Sequence, residues 1–341
     1  MRKLFITGGA GFIGSAFIRH ALAADAACQI TNFDALTYAG NLDNLQDLDE
    51  ERHHFIYGDI TDRKAVFAAL SEDIDAIVNF ASESHVDRSI ASADEFLRTN
   101  VLGTQVLVDV AREKGVRRFV QISTDEVMGS LPEHEDMFFT EESPFAPSSP
   151  YAASKAAAEH LVRAAHQTFA LDTVITRCSN NYGPRQFPEK FLPLLLSNAL
   201  HDEPIPIYGD GRNVRDWIYV EDHCRAIWLA LDKGRSGEIY NIGARNEKRN
   251  IEVAEAILRA LNKPCSLIRY VKDRLGHDRR YAIDPTKIET ELGWCPLETW
   301  QSGLEKTIQW YAKNREWIKR ARSGAYLGFY AQHYGTKVSS H

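Results

Sequence analysis

A tyrosine and a lysine four residues apart, Tyr151 and Lys155, carry the proton chemistry for which this 341-residue chain is best equipped. They follow Pro150 in an alanine-rich stretch, which predicts that both side chains project from one face of a helix, near its start. Beside a nicotinamide ring, such a pair can remove the proton of an alcohol while a hydride leaves the same carbon. The two positive charges would lower the pKa of the phenol toward neutrality. This spacing also arises by chance. The alternative is therefore an ordinary helical tyrosine beside a solvated lysine, with no role in catalysis.

Two adjacent carboxyl residues, Asp125 and Glu126, follow Thr124 upstream of this pair. Coupled carboxyls can present one protonated and one ionised group at neutral pH, and an acid beside a base can eliminate water from a ketone. Neighbouring residues of a strand point to opposite faces, so the chain must leave extended geometry at Asp125 if both carboxyls are to reach one substrate. A solvated acidic turn is the alternative, and it would be preferred if Tyr151 and Lys155 were absent.

Short apolar runs alternate with helical patterns through the first half of the chain and predict an α/β fold with a doubly wound, Rossmann-type parallel sheet. Most runs lack polar alternation, as expected of strands that are buried on both faces. Right-handed crossovers would place residues 124–126 at the carboxyl end of the fifth strand, where open α/β sheets bind ligands. The predicted strands are residues 3–7, 29–34, 53–59, 76–81, 118–124 and 173–178, and the predicted helices are 12–24, 63–71, 93–114 and 151–169.

After about residue 180 the pattern becomes irregular and richer in proline, glycine and aromatic residues. It predicts a smaller mixed α/β domain at the C-terminal side, and the resemblance described below implies that this domain binds the substrate. Helices are predicted near residues 188–201, 221–233, 251–261 and 300–321. We place the domains at 1–180 and 181–341, with some crossover of the chain between them.

A glycine-rich loop connects the first predicted strand to the first helix. Gly9, Gly11 and Gly14 satisfy the GxGxxG pattern, and Gly8, Gly11 and Gly14 give a second regular spacing. Glycines at these positions let the backbone approach a pyrophosphate at the positive end of the helix. The loop alone could also be an ordinary tight turn.

Asp34 ends the second predicted strand, 20 residues after Gly14. A carboxylate there can bind the ribose hydroxyls of a dinucleotide and repels a 2′-phosphate, which favours NAD over NADP. Asp59 and Ile60 follow the third strand and are the expected edge of the adenine site, although Asp59 could equally cap a helix.

Composition narrows the class of protein. Hydrophobic residues make up 44% of the chain and charged residues 26%, which is typical of a globular protein. Its net charge of −7 does not favour binding to nucleic acid. The sequence contains no apolar stretch of 18 residues, so no membrane span is predicted, and the N-terminal apolar run is too short for a signal peptide. No metal site is expected.

The cysteines show neither a CxxC pair nor a disulfide framework, which favours a cytoplasmic location. They are Cys28, Cys178, Cys224, Cys265 and Cys295.

With these motifs considered together, the chain resembles the extended short-chain dehydrogenase/reductase family and, within it, the dTDP-glucose 4,6-dehydratases. The resemblance runs nearly end to end, and its long runs are far more specific than the glycine pattern. The motifs are GGAGFIGS, DALTYAGN, ESHVDRSI, STDEV, SPYAASKA, TRCSNNYGP, FPEKFLP, YGDGRNVRDWIYVEDH, YNIGARNEKRN and GHDRRYAID.

The resemblance implies a reaction on a nucleotide-linked hexose. Tyr151 would take the proton of the sugar 4-hydroxyl as NAD accepts the C4 hydride. Glu126 would then remove the C5 proton while Asp125 protonates the departing C6 hydroxyl, and the hydride returns to C6. Thr124 would bind the 4-oxygen, and Lys155 the nicotinamide ribose.

The resemblance also implies the residues that contact each ligand. Asp216, Trp217 and Tyr219 are expected to brace the loop of Arg215. The expected NAD contacts are Gly8, Gly11, Phe12, Ile13, Gly14, Asp34, Leu36, Thr37, Asp59, Ile60, Phe80, Ala81, Ser82, Ser84, Thr99, Tyr151, Lys155 and Asn181. The expected sugar-nucleotide contacts are Ser84, Thr124, Asn180, Lys190, Phe191, Pro206, Ile207, Tyr208, Arg215, Asn250, Arg274 and His277.

Three residues depart from the family pattern. Met128 stands where the family usually has tyrosine, Ser82 replaces an alanine and Leu275 replaces a proline. We expect Met128 to lie toward the substrate, which leaves the preferred sugar open, and Leu275 to loosen a loop near the diphosphate.

Several functions remain open from the sequence. The favoured one is an NAD-dependent dTDP-glucose 4,6-dehydratase that forms a homodimer through the helices near 93–114 and 151–169. A dehydratase acting on a UDP-hexose or UDP-N-acetylhexosamine by 4,6- or 5,6-elimination is the first alternative. A sugar-nucleotide 4-epimerase or decarboxylase and a catalytically inactive NAD-binding regulator are less favoured, because neither requires both Asp125 and Glu126.

Overall fold

A seven-stranded parallel sheet forms the centre of the computed structural model, which describes residues 2–133 and 136–323. The last part of the predicted second domain, residues 324–341, lies outside the described residues. Strands of the described residues are β1 (Lys3–Thr7), β2 (Gln29–Asp34), β3 (His53–Tyr57), β4 (Ala76–Asn79), β5 (Arg118–Thr124), β6 (Asp172–Cys178), β7 (Asn180–Tyr182), β8 (Ile205–Tyr208), β9 (Val214–Tyr219), β10 (Ile239–Ile242), β11 (Glu247–Arg249) and β12 (Ile268–Val271).

Helices flank both faces of this sheet and build the second layer of the C-terminal half. They are α1 (Phe12–Ala24), α2 (Arg63–Ala69), α3 (Val86–Ala91), α4 (Asp94–Phe96), α5 (Thr104–Glu113), α6 (Pro150–Phe169), α7 (Phe191–Leu200), α8 (Val220–Lys233), α9 (Asn250–Ala260), α10 (Thr286–Leu292), α11 (Trp300–Lys313) and α12 (Arg315–Ala321). None of the helices in the described ranges is long and apolar enough to cross a membrane.

The strand order of the main sheet is β10-β6-β5-β4-β1-β2-β3, and every pairing within it is parallel. The chain therefore winds outward in both directions from β1, and the connections that leave β1 and β4 diverge at the carboxyl ends of the strands. Such a switch in winding direction opens a crevice that binds ligands. The predicted doubly wound parallel sheet is confirmed.

Strand boundaries follow the sequence pattern closely. β1, β2 and β5 have the predicted limits, whereas β3 and β4 each end two residues early and β6 begins one residue early. β10 was not predicted; it pairs with β6 at the edge of the main sheet, although it comes from the second half of the chain.

Two hydrophobic layers explain why the strands lack polar alternation. Leu4 and Ile6 face α1 and α8 on one side of the sheet, whereas the alternate residue Phe5 faces α5 and α6 on the other. Because β1 is covered on both faces, both sets of its side chains must be apolar.

The predicted helix at 93–114 is interrupted in the structure. Helix α4 runs into a π-helical segment at Leu97–Gly103 before α5 continues the same helical stretch. The helix predicted at 300–321 is likewise divided, at Asn314, into α11 and α12.

The C-terminal half has its own core, which packs α7, α9, α11 and α12 against β8 and β9. Two small sheets accompany it: β7, β9 and β11 form one, and β8 and β12 the other. These elements lie beside the carboxyl end of the main sheet and close the crevice there.

Candidate active site

Two adjoining cavities lie at the carboxyl end of the main sheet. The first has a volume of about 340 Å³ and the second about 150 Å³. Glu126, Asn180 and Lys190 are among the residues that line both, so the two cavities meet at the pair of carboxyl residues.

The first cavity collects nearly all of the expected NAD contacts. Leu36 and Ile60 do not line it. Leu36 has a positive φ of 48°. The side chain of Ile60 is buried in the core near Gly103. The expected residues that line it are Gly8, Gly11, Phe12, Ile13, Gly14, Asp34, Thr37, Asp59, Phe80, Ala81, Ser82, Ser84, Thr99, Tyr151, Lys155 and Asn181.

The glycine loop leaves room for a ligand at the N-terminus of α1. A Cβ atom at Gly11 would meet only the Gly8 carbonyl oxygen, at 3.3 Å, so a side chain there would extend into the cavity. At Gly14 a Cβ atom would lie 2.3 Å from that same oxygen, which keeps the loop close to the helix. Asp34 accepts hydrogen bonds from the backbone N–H groups of Ala10 and Leu36, both at 2.8 Å, and is therefore fixed at the cavity. These residues fit a dinucleotide.

The chain turns sharply where β5 ends. Residues Asp125–Met128 form a 3₁₀ turn, and the Thr124 hydroxyl caps it by accepting a hydrogen bond from the Glu126 N–H at 3.3 Å. Asp125 and Glu126 consequently both line the first cavity. The predicted departure from extended geometry at Asp125 is confirmed.

The two carboxyls have unequal surroundings. Burial raises the pKa of Asp125 well above its usual range, and the neighbouring Glu126 carboxylate raises it further. Burial also raises the pKa of Glu126, but the cations Arg274 and Lys190 act against that increase. One oxygen of Asp125, Oδ2, is buried without a hydrogen-bond partner among the described residues. Asp125 is thus the residue placed to hold a proton, and Glu126 the residue placed to be ionised.

Helix α6 brings Tyr151 and Lys155 to the same cavity. Ser149 caps the helix by accepting from the Ala152 N–H at 3.1 Å, and Pro150 occupies its first turn. The Lys155 ammonium donates a hydrogen bond to the Ile122 carbonyl oxygen at 2.6 Å.

The pKa of Tyr151 was expected to be lowered by Lys155 together with a nicotinamide ring, and Lys155 by itself does not lower it. Burial raises the pKa of Tyr151 well above its ordinary value, and the Glu126 carboxylate adds to the increase, while a hydrogen bond with Thr124 opposes it. The Lys155 ammonium is bound to the strand backbone and does not offset these effects. Burial lowers the pKa of Lys155 itself to about 8.

Sequence reasoning missed a buried asparagine that supports this pair. Asn100 lies in the π-helical segment and donates to the Ser154 hydroxyl at 2.8 Å, and that hydroxyl donates to the Tyr151 carbonyl oxygen at 2.7 Å. Asn100 also exchanges two hydrogen bonds with the backbone of Glu83, at 2.9 and 3.0 Å. Its only signal in the sequence is one amide within a helical stretch.

The second cavity collects most of the expected sugar-nucleotide contacts. Ser84 and Thr124 line the first cavity instead. Ile207 lines neither described cavity: it is fully buried in the core, because it alternates along β8 with the lining residues Pro206 and Tyr208. The other expected residues that line the second cavity are Asn180, Lys190, Phe191, Arg215, Asn250, Arg274 and His277.

Three cations, Lys190, Arg215 and Arg274, line this cavity together with the acidic residues Asp87, Glu126 and Glu189. The Arg215 guanidinium donates to the carbonyl oxygens of Val214 and Asp278 at 2.7 and 2.9 Å, which directs it along the cavity wall. Arg274 lies 3.8 Å from the Asp87 carboxylate, and its Nε is buried without a hydrogen-bond partner among the described residues. Two arginines in this position suit a diphosphate.

Several lining residues were not anticipated as ligand contacts. Trp217, expected only to brace the Arg215 loop, lines the second cavity, whereas Asp216 does brace by accepting from the Asn246 N–H at 2.7 Å. Asp87 lines the cavity and accepts a hydrogen bond from the Tyr208 hydroxyl at 3.2 Å. Their partners come from distant parts of the chain, so no local pattern indicates them.

The three departures from the family pattern occupy different surroundings. Met128 does not line either cavity, contrary to expectation; its side chain is buried beside Arg177, whose Nη1 lies 3.5 Å from the sulfur. Ser82 lines the first cavity, and its hydroxyl donates to the Glu83 carbonyl oxygen at 2.9 Å. Leu275 is 73% exposed and borders neither cavity.

Comparison with known proteins agrees with this geometry. The family model for GDP-mannose 4,6 dehydratases matches residues 5–307. A dTDP-glucose 4,6-dehydratase from Salmonella typhimurium is 48% identical, over 97% of this chain and 99% of that protein.

Solved structures show the same relationship. A dTDP-glucose 4,6-dehydratase from Streptomyces venezuelae, crystallised with NAD, is 49% identical with a TM-score of 0.90, over 94% of this chain and 99% of that one. A UDP-glucose 4-epimerase from Thermus thermophilus, also solved with NAD, is 30% identical with a TM-score of 0.85, over 92% and 99% of the two chains.

The fold and site are those of enzymes that act on nucleotide-linked sugars. The chain belongs to the GDP-mannose 4,6 dehydratase family, and the predicted resemblance to the dTDP-glucose 4,6-dehydratases is confirmed.

The unequal carboxyls lead to a spectroscopic prediction. At neutral pH we expect the infrared band of a protonated carboxyl group, and we expect D125N to remove it because burial and Glu126 favour the neutral acid at that position. Difference spectra against the parent protein measure this, with E126Q as the matched control that retains the band. Loss of the band in E126Q but not in D125N would reverse the assignment of acid and base.

Proposed function

We propose that this protein is a dTDP-glucose 4,6-dehydratase that forms a 4-keto-6-deoxy sugar nucleotide. The observation that carries the proposal is the placement of Asp125 and Glu126, whose pKa values are raised unequally, in one cavity with Tyr151. A proton donor, a proton acceptor and an alcohol-oxidising tyrosine are the groups that oxidation followed by dehydration requires.

NAD would be held by the glycine loop, Asp34 and Lys155 in the first cavity. When bound, it accepts the hydride of the sugar C4 and later returns it to C6. Relatives were crystallised with NAD, which supports the same cofactor here.

Tyr151 and Thr124 would act on the sugar 4-hydroxyl. Both residues line the first cavity, and the Thr124 hydroxyl is among the groups that lower the pKa of Tyr151. Tyr151 would remove the proton from the 4-hydroxyl, and the positive charge of a bound nicotinamide ring would counteract the burial and the carboxylates that raise its pKa.

Glu126 and Asp125 would carry out the elimination. The 4-ketone acidifies the C5 proton, which the Glu126 carboxylate removes, and Asp125 delivers its proton to the departing C6 hydroxyl as water. Arg274 and Lys190 favour the ionised form of Glu126 against the effect of its burial, whereas among the principal influences only Arg215 and Thr124 lower the pKa of Asp125.

The nucleotide part of the substrate would occupy the second cavity, with its diphosphate at Arg215 and Arg274. We propose a cofactor domain of residues 1–180 and a substrate domain of 181–341 with chain crossover, since β10 and α8 pack with the main sheet. The absence of cysteine pairing in the sequence supports a cytoplasmic location.

An isotope experiment tests the reaction. With dTDP-glucose deuterated at C4, we expect a product lighter by one water that carries the deuterium at C6, because the same hydride leaves C4 and returns to C6. Mass spectrometry and NMR of the product measure both changes. UDP-glucose and UDP-N-acetylglucosamine in parallel assays report the base and C2 preferences. Recovery of a 4-epimer without loss of water would contradict the proposal and favour an epimerase.

Neutralising the carboxyls should separate oxidation from dehydration. In D125N/E126Q we expect the 340 nm absorbance of the reduced cofactor to rise on mixing with dTDP-glucose, while dehydrated product forms at least ~100-fold more slowly. Tyr151→Phe is the control, because it should abolish the absorbance change as well. Unimpaired dehydration in D125N/E126Q would remove both residues from the chemistry.

We also propose that the protein is a homodimer formed through the helical stretch of α4 to α5 together with α6. Leu97 and Leu102 on this stretch are 52% and 53% exposed, as is Phe169 at the end of α6 at 50%, and apolar exposure of this kind suits an interface. L97E/L102E is expected to shift the mass measured by light scattering from dimer to monomer. L297E, at a 68% exposed leucine elsewhere, is the matched control. A parent protein that is monomeric at working concentrations would contradict the proposal.

A further inference from the structure

A third charged residue follows Tyr151 and Lys155 at the same four-residue spacing on α6. Glu159 lies one turn beyond Lys155 on the same face of the helix and is completely buried. The proposed reaction uses Tyr151 and Lys155 but assigns no step to Glu159.

Glu159 is bound from two strands of the main sheet. Arg177 on β6, itself 1% exposed, donates from Nε to both carboxylate oxygens at 3.1 Å and from Nη2 to Oε2 at 2.8 Å. From β5, the Ser123 hydroxyl donates to Oε1 at 2.5 Å.

Two hydrogen bonds on successive turns join α6 to the end of β5. Lys155 donates to the Ile122 carbonyl oxygen, and Glu159 accepts from Ser123, while Tyr151 lines the same cavity as Thr124. The strand residues that carry the elimination chemistry directly follow these contact points. These hydrogen bonds therefore fix the oxidation residues relative to Asp125 and Glu126.

Glu159 also acts on Lys155 electrostatically. Burial lowers the pKa of Lys155 to about 8, and Glu159 is the foremost group that opposes this loss of charge, followed by the Cys178 thiol on β6. The other ionisable groups here are Tyr151 on the same helix and Arg177, which the Glu159 carboxylate neutralises. Without Glu159 the buried ammonium would lose the foremost charge that stabilises it and would keep its hydrogen bond to the Ile122 carbonyl oxygen.

A buried ion pair is weak evidence for stability. Replacing such a pair by apolar residues of similar size is often neutral or stabilising, whereas removing one partner costs roughly 3–5 kcal/mol. A fully buried arginine–carboxylate pair directly behind a catalytic lysine therefore calls for a role in positioning that lysine.

We propose that Glu159 is a positioning residue for the oxidation step: it holds Lys155 in its charged form and locks α6 to the end of β5. Arg177 has the secondary role of compensating the Glu159 charge within the fold. This inference rests on the proposed function, because the oxidation of dTDP-glucose is the step that requires charged Lys155.

The test isolates oxidation from elimination. In the D125N/E126Q background, which contains no titrating carboxyl at positions 125 and 126, the formation of reduced cofactor from dTDP-glucose is followed at 340 nm against pH. The variant E159Q/R177M removes both charges of the pair and avoids an unpaired buried arginine, whereas R177M removes only the cation. NAD affinity is measured by calorimetry over the same pH range, without the background substitutions.

We expect E159Q/R177M to lose oxidation at a lower pH than its parent, because the carboxylate that favours the charged form of Lys155 is gone. The alkaline limb should be displaced by about one pH unit, the lower end of the shift that a neighbouring opposite charge causes. The alkaline loss of NAD affinity should move in the same direction. R177M should keep both limbs at or above the parental pH, since Glu159 remains, even where its thermal midpoint falls.

Three results would overturn the inference. One is a folded E159Q/R177M protein whose alkaline limbs coincide with those of the parent. Another is an R177M protein whose limbs move to lower pH as far as those of the double variant. Failure of E159Q/R177M to fold would assign the pair to the fold instead. A parent that produces no reduced cofactor from dTDP-glucose at any pH would instead refute the proposed function.

Discussion

The burial of two neighbouring carboxyl groups at one strand end is the constraint on which the rest of the site depends. Burial favours the neutral form of each, and cations oppose this more strongly at Glu126, where Arg274, Lys190 and Arg215 act, than at Asp125, where Arg215 is the cation among the principal influences. Arg274 and Lys190 act on Glu126, while Asp125 faces the carboxylates of Glu126 and Asp216. An acid and a base thus arise from nearly identical side chains, because the local electrostatic environment differs across a distance of one residue.

This arrangement requires support from both halves of the chain. The turn that presents the carboxyls is capped by Thr124 and begins where β5 leaves the sheet, and α6 approaches it from the side with Tyr151. The cations that compensate Glu126, Lys190 and Arg274, come from much later segments of the chain, which line the second cavity. The main sheet therefore places the reacting groups, and the smaller C-terminal elements set their charge. An epimerase shares the sheet at a TM-score of 0.85, so the sheet alone does not choose between the two reactions.

Much of the fold could be predicted because buried parallel strands leave a clear pattern. Uninterrupted apolar runs such as Leu4–Ile6 occur where a sheet is covered on both faces, and β1, β2 and β5 were located to the residue. The edge strand β10 was missed because its partner β6 lies more than sixty residues earlier in the chain. The π-helical segment that carries Asn100 was also missed, since its one extra residue per turn preserves the general helical pattern.

For the site, the sequence by itself determined which chemical groups exist and how those close in the chain are spaced: the glycine loop, Asp125 beside Glu126, and Tyr151 one turn before Lys155. Local spacing controls helix faces and strand ends, so these groups could be recognised without coordinates. Only the tertiary structure decided that Met128 turns away from the substrate cavity, that Ile207 is in the core, and that burial raises the pKa of Tyr151. It also brought Arg177 to Glu159. Side-chain direction, burial and charge pairing depend on residues that are distant in the chain, and spacing along the sequence contains no record of them.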